Sequence, residues 1–180
     1  MKKFLKFSGI IAAVIAIVSF ILLMCCHSVV YSNGGTSGWY SGISALFGGG
    51  TALVGAKGSG WSISTGAQSV DAKLAWTALV GWILIIVALV ILIAGIILPL
   101  LKVHALDKFA GILNLVAVLC LVVAGILIFV TLPVFAQANE WSNADGWGLG
   151  AGWIIAGILA IVGGVVAILP AAFDFVGSKK

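Results

Sequence analysis

Cys25, Cys26 and His27 stand in an unbroken row, the densest cluster of metal-ligating or redox-active side chains in the chain. Metal sites built from Cys and His space their ligands by a turn or loop, as in Cys-x-x-Cys, so that the side chains converge. Three consecutive helical positions point in three directions and cannot close on one ion within a single chain. Neighbouring cysteines bridge each other only with backbone strain. Cys120 is the one other thiol, too few for a disulfide framework. All three read as buried, inert thiols that behave as small hydrophobes. His104 reads as a solvated loop histidine. An enzyme would have to build its site from His27, Asp71, Glu140, Asp145 and loop hydroxyls. No Gly-rich loop follows a strand, and no nucleophile, base and acid stand in a catalytic pattern. The expectation is therefore a chain with no catalytic, cofactor-binding or metal site.

The elements that would have to position any chemistry are four long apolar stretches. Of 180 residues, 63% are hydrophobic and 8% charged, against about 25% charged in a soluble domain. About 20 apolar residues cross the hydrocarbon core as a helix. The expected fold is an all-α integral membrane protein, a single domain (1–180) forming a four-transmembrane-helix bundle. Spans are predicted at 8–28, 74–98, 109–132 and 149–169. They are joined by a long outer connection (29–72), a tight inner turn (99–108) and a short outer connection (133–148), with an inner tail at 170–180. The last three spans each run into Leu-Pro, at Pro99, Pro133 and Pro170, the only prolines present. Proline lacks the amide donor and disfavours helix before it, which predicts the ends there. The first span follows Met1-Lys-Lys and could be taken for a secretory signal. Its apolar run is longer than a signal core and lacks a small-residue cleavage site. Met24 also stands where a lipobox before Cys25 would carry Gly, Ala or Ser. It reads as a retained helix.

Charge and aromatic residues are sorted by side. The inner segments hold seven lysines (2, 3, 6, 102, 108, 179 and 180) against Asp107 and Asp174, a net of +5. The outer segments hold Lys57 and Lys73 against Asp71, Glu140 and Asp145, a net of −1. All seven tryptophans lie on or beside the two outer connections. Basic residues held in the cytoplasm and Trp at the interface predict a cell-membrane protein with both termini cytoplasmic. The lysines form no stripe, so the overall +4 is not a nucleic-acid footprint.

No span carries an ionisable acid or base in its interior, which argues against a proton-coupled transporter or intramembrane protease. Asn114 is the most polar residue at depth and reads as interhelical glue. Gly148, Gly152, Ala156, Ala160 and Gly164 recur every four residues, a small-residue stripe that lets helix backbones approach. Gly9, Ala12, Ala13, Ala16 and Ser19 give span one a stripe of its own. Whether either faces another helix of this chain or another subunit stays open at this stage. In the long connection, 39–47 and 51–54 have strand character, with turns at Gly48-Gly49-Gly50 and Lys57-Gly58. Either a small β-hairpin on the membrane surface or a glycine loop pinned by Trp39 and Trp61 fits. Trp39, Tyr40 and Trp61 are the candidate outer-face contacts.

Four spans, a long first and short second outer connection and a tight inner turn resemble the claudin and peripheral-myelin-protein superfamily. Gly146-Trp-Gly-Leu-Gly-Ala-Gly-Trp153 is similar to the Gly-rich opening of the fourth claudin span. Ala110-Gly111 and Ala124-Gly125 are similar in texture to the third. The pair of first-loop cysteines typical of claudins has no counterpart here. The absence of buried chemistry beside an aromatic-studded outer face, with this resemblance, predicts a non-enzymatic membrane protein of assembly, scaffolding or adhesion. Its expected partners are the lipid bilayer and either copies of itself or another membrane protein. Two further expectations are weighed: an oligomeric pore for small solutes lined by Ser19, Asn114 and Thr131, and a lipid-anchored accessory subunit acylated at Cys25 or Cys26.

Overall fold

A computed structural model describes residues 2–33, 36–49, 53–56, 72–97, 107–141 and 145–177. Along the chain these form α1 (Lys2–Cys25), β1 (His27–Asn33), β2 (Thr36–Ser41), α2 (Gly42–Phe47), β3 (Leu53–Ala56), α3 (Trp76–Ile97), α4 (Asp107–Phe129), α5 (Thr131–Ala138), β4 (Trp147–Leu149) and α6 (Ala151–Gly177). Four helices contain apolar windows long enough to span a membrane: Ser8–Cys25, Trp76–Ile97, Gly111–Phe129 and Ala151–Leu169. At 1.5 Å per residue, α3 is about 33 Å long, against a hydrocarbon core of about 30 Å. This is a multi-pass membrane protein with an all-α bundle and a small sheet at one end. The start of α1 and the end of α6 lie at the other end.

The four helices alternate in direction and close a ring: α1 packs on α3 and α6, and α4 packs on α3 and α6. Small residues occupy the interior. Ala12, Ala16, Ala78, Ala88, Ala117, Ala124, Ala156 and Ala160 are all fully buried. Large β-branched residues point outward at helical spacing, as in Val80, Ile83, Val87, Val90 and Ile93 of α3. Lipid is as apolar as Ile, so burying large side chains between helices gains little. Close backbone approach through Ala and Gly is what holds such a bundle. α4 and α6 approach closely at Gly125, where an added Cβ would lie 2.8 Å from the Gly157 carbonyl oxygen.

The span ends differ from the proline-based prediction. α1 stops at Cys25, and His27 and Ser28 begin a strand. Leu149 likewise belongs to β4, and α6 starts two residues later. Pro133 does not end α4 at Leu132. The break falls at Val130, and α5 runs on through Pro133 to Ala138. A proline ring collides with the carbonyl four residues earlier, here Phe129, the last residue of α4. Thr131 helps bridge the gap by donating its hydroxyl to the Leu127 carbonyl at 3.0 Å. Pro170 lies inside α6, just past its apolar window. Transmembrane helices tolerate proline where water or neighbours satisfy the freed carbonyl. Pro99 and the rest of the turn up to residue 106 lie outside the described residues.

The sheet is antiparallel in the order β3-β2-β1-β4. Val29 to Tyr31 pair with Leu149 to Trp147, so the second connection closes onto the strand that leaves α1. The two connections form one cap. The hairpin expected at 39–47 and 51–54 is thus replaced by a sheet of four strands. β2 is shorter than expected, because Ser41 caps a helix: its hydroxyl accepts from the Ser44 amide at 3.2 Å. A serine at this position satisfies an amide the first helical turn leaves free. Gly48 and Gly49 have φ of 70° and 67°, left-handed values suited to glycine, and turn the chain after α2.

Candidate functional site

The sheet-end cap is tied to the bundle through the last turn of α1. Carbonyls in a terminal helical turn lack partners within the helix. Here the Cys26 amide reaches Leu22 O at 3.0 Å, and Gly42 N donates to Cys26 O at 2.9 Å. The intervening Leu23 carbonyl accepts Nε1–H of Trp153 at 3.1 Å, and Trp153 is fully buried. Gly42 and Gly150 have to be glycine for space. A Cβ at either would overlap a carbonyl oxygen, that of Leu23 or His27. Gly150 N in turn donates to Ser28 O at 2.9 Å. Ser28 sends its hydroxyl to the Tyr40 and Ser41 carbonyls.

Above this junction sits an aromatic cluster drawn from β1, β2, β4 and the α5 segment. Tyr40 contacts Phe135 at 5.0 Å, Trp147 at 5.7 Å and Trp141 at 6.2 Å between ring centroids. Trp141 stacks on Trp147 at 4.5 Å, and Tyr31 adds an outer contact to Trp147 at 5.0 Å. Phe135 reaches the cluster only because α5 continues past the Val130 break. Aromatic pairs of this kind contribute about 0.5–1.5 kcal/mol each beyond area burial. Burial pushes the Tyr40 hydroxyl above its usual pKa. At the rim, Lys73 Nζ meets Glu140 at 2.6 Å, and the Lys73 amide donates to Asn139 Oδ1 at 2.7 Å. These bonds join the two connections a second time. Hydrogen bonding and charge from Lys73 hold the Glu140 carboxyl below its ordinary range.

The residues singled out from the sequence fall in different places. Tyr40, expected as an outer-face contact, is only 2% exposed and forms the centre of the cap. Its neighbour Trp39 points to the opposite face of β2, since side chains alternate along a strand. There it is half-buried and lies 5.2 Å from the exposed His27 ring. Trp61 lies outside the described residues. Gly148 is in β4, not in the helical stripe, and a Cβ there would meet nothing within 4 Å. Gly152 abuts Cys26, Ala156 accepts the Ser19 hydroxyl at 2.8 Å through its carbonyl, and Ala160 is fully buried. A Cβ at Gly164 would lie 3.2 Å from Val118 O of α4. The stripe therefore faces α1 at its sheet end and α4 further along, within one chain. Asn114 is buried, and its Oδ1 would lie 2.9 Å from a Cβ at Gly95 of α3.

Cys25, Cys26 and His27 are not three helical positions: they straddle a helix end, a bend and a strand start. Cys25 is exposed and Cys26 and Cys120 half-buried, so the expectation of three buried thiols does not hold. Cys25, Cys26 and His27 line a shallow open groove with Val30 and Leu149 to Gly152. Among the described residues, no three His, Cys, Asp or Glu side chains are grouped to hold a metal ion. Sequence reasoning missed the Trp153–Leu23 tie, the Gly125–Gly157 crossing and the Lys73–Glu140 pair. Only the first two left a trace, as a Trp and glycines set within apolar runs. No protein-family model matches the chain, and a comparison with curated proteins finds no match.

Proposed function

We propose that this protein is a non-enzymatic component of membrane assembly or adhesion, acting through its sheet-end face. The observation that carries the reading is where the small residues go. Both small-residue stripes are used between helices of the same chain, and the bundle's outer surface is left to large aliphatic side chains suited to lipid. The elaborated polar and aromatic surface is at the sheet end. There β2 presents Trp39, and β1 presents His27, away from the aromatic core. The lysine asymmetry supports an outward orientation of that face at the cell membrane, with both termini cytoplasmic. The claudin-like plan supports the same role. Partners in this reading are further copies of the chain or another membrane protein.

The pore reading has less to stand on. Ser19, Asn114 and Thr131 are buried between helices, away from the outward surfaces where subunits would meet to line a path. The acylated-subunit reading rests on the exposed Cys25 alone, and an intact mass equal to the unmodified chain would eliminate it. The test of the main proposal is association of two differently tagged copies, within one bilayer and between two vesicle populations. Replacing Trp39 and Trp61 together with alanine should weaken it. Association unchanged in the double variant would count against the sheet-end face.

A further inference from the structure

The short helix α2 belongs to the long connection, yet its contacts place it beside the membrane-spanning windows. At its start, Gly42 lies against the Leu23 carbonyl and donates to Cys26 O, and Leu23 is inside the α1 window. At its end, the Phe47 ring packs on the Trp82 ring at 5.3 Å, edge to face. Trp82 in turn stacks on Phe20 of α1 at 5.6 Å. Trp82 is six residues into the α3 window, a depth of about 9 Å along the helix. The Gly42 end is therefore level with the last turn of the α1 window and the Phe47 ring reaches into the α3 window, while the Ala75 amide donates to Ala45 O and the Gly49 amide to Ala72 O just ahead of that window.

The sides of α2 agree with this depth. Gly42, Ser44, Ala45 and Leu46 are buried against the bundle and cap. Its exposed positions are Ile43 and Phe47, 51% and 48% accessible, one helical turn apart. That face carries no polar side chain. α3, on which Phe47 packs, carries its own belt of outward aliphatic residues from Val80 and Ile83 onward. Apolar side chains beside such a belt meet the same solvent as the belt, and here that solvent is lipid.

We infer that α2 is a membrane-inserted anchor whose Ile43–Phe47 face contacts acyl chains of the sheet-end leaflet, seated over the seam between α1 and α3. The cap is then held at a fixed height by lipid as well as by hydrogen bonds. The test uses the full chain in phosphatidylcholine vesicles, with the three cysteines replaced and a nitroxide attached to Ile43→Cys or Phe47→Cys. Collision rates with molecular oxygen, which partitions into lipid, and with a water-soluble nickel chelate present on both sides are compared. Val80→Cys serves as the lipid reference and Asp145→Cys as the aqueous one. The inference predicts the oxygen-favoured ratio of Val80 at both α2 sites. A nickel-favoured ratio like that of Asp145 overturns it. Low accessibility to both reagents also overturns it, since protein then covers the face. Ile43 makes no ring contact with Trp82, so its site remains informative should Phe47→Cys disturb α2.

Discussion

Substituting alanine at two glycines of the same four-residue series should destabilise the protein at one and leave it nearly unchanged at the other. Gly152→Ala places a methyl group on the Cβ and Sγ of Cys26, where α6 meets the end of α1. Cys26 Cβ is fixed to the backbone, so the chain segments must part. Overpacking of this kind costs about 1–3 kcal/mol. Because the overlap is with a backbone-fixed Cβ, the upper part of that range applies, and after alanine's better helix propensity returns up to about 1 kcal/mol a net loss of about 1–3 kcal/mol remains. Gly148→Ala adds its methyl in β4, with nothing within 4 Å, and should stay within about 0.5 kcal/mol of the parent. Unfolding in mixed anionic and mild detergent micelles, followed by tryptophan fluorescence, measures both. A cycle with Cys26→Gly isolates the contact: removing Cys26 Cβ should recover at least about 1 kcal/mol of the Gly152→Ala loss. Equal effects at Gly148 and Gly152, or zero coupling with Cys26→Gly, would refute the assignment of this stripe to intrachain packing.

Trp153→Phe keeps a ring but strips the donor from the Leu23 carbonyl. A buried acceptor left alone costs about 1–3 kcal/mol, so the midpoint of the same unfolding transition should fall. Ser19→Ala should cost only about 0.6 kcal/mol, the average for interhelical hydrogen bonds in membranes. Ser19→Leu should prevent assembly of the bundle, because the site has no exposed surface; helix content after reconstitution distinguishes the two. Glu140 has a lowered carboxyl pKa through Lys73. Its stabilising contribution is present above the unfolded-state value and is lost as pH falls through the depressed folded-state value. Glu140→Gln should remove that acid-side slope in a pH series of unfolding. Both side chains are well exposed, so the slope should be shallow and weaken further with salt.

The spans were legible because a bilayer imposes composition: about 20 apolar residues must appear in a row. Their ends were less so, since proline acts at two places, its own amide and the carbonyl four residues back. Pro133 accordingly breaks the helix at Phe129 and Val130 and leaves a second segment intact. The sheet was only half visible. Trp39 to Ser41 and Leu53-Val54 lay in stretches with strand character, but Val29 and Val30, just past the first apolar span, carried no pairing signal of their own. Trp147 and Gly148 lay in the short outer connection, with Leu149 at the head of the last span. Pairing across 118 residues, as between Val30 and Gly148, leaves no local signature. The inward turn of Tyr40 could have been read from strand alternation once the strand was placed. The tie from Trp153 to Leu23 required knowing where α1 ends.

The most direct test of the sheet-end face is photo-crosslinking in native membranes, with a benzophenone side chain placed one position at a time. Position 39 represents that face; positions 90 and 162 represent the lipid-facing sides of α3 and α6, where Val90 and Val162 are exposed. The account predicts discrete protein adducts from position 39 and only lipid adducts from positions 90 and 162. Protein adducts from 90 or 162 with none from 39 would contradict it and move the contact surface to the helices.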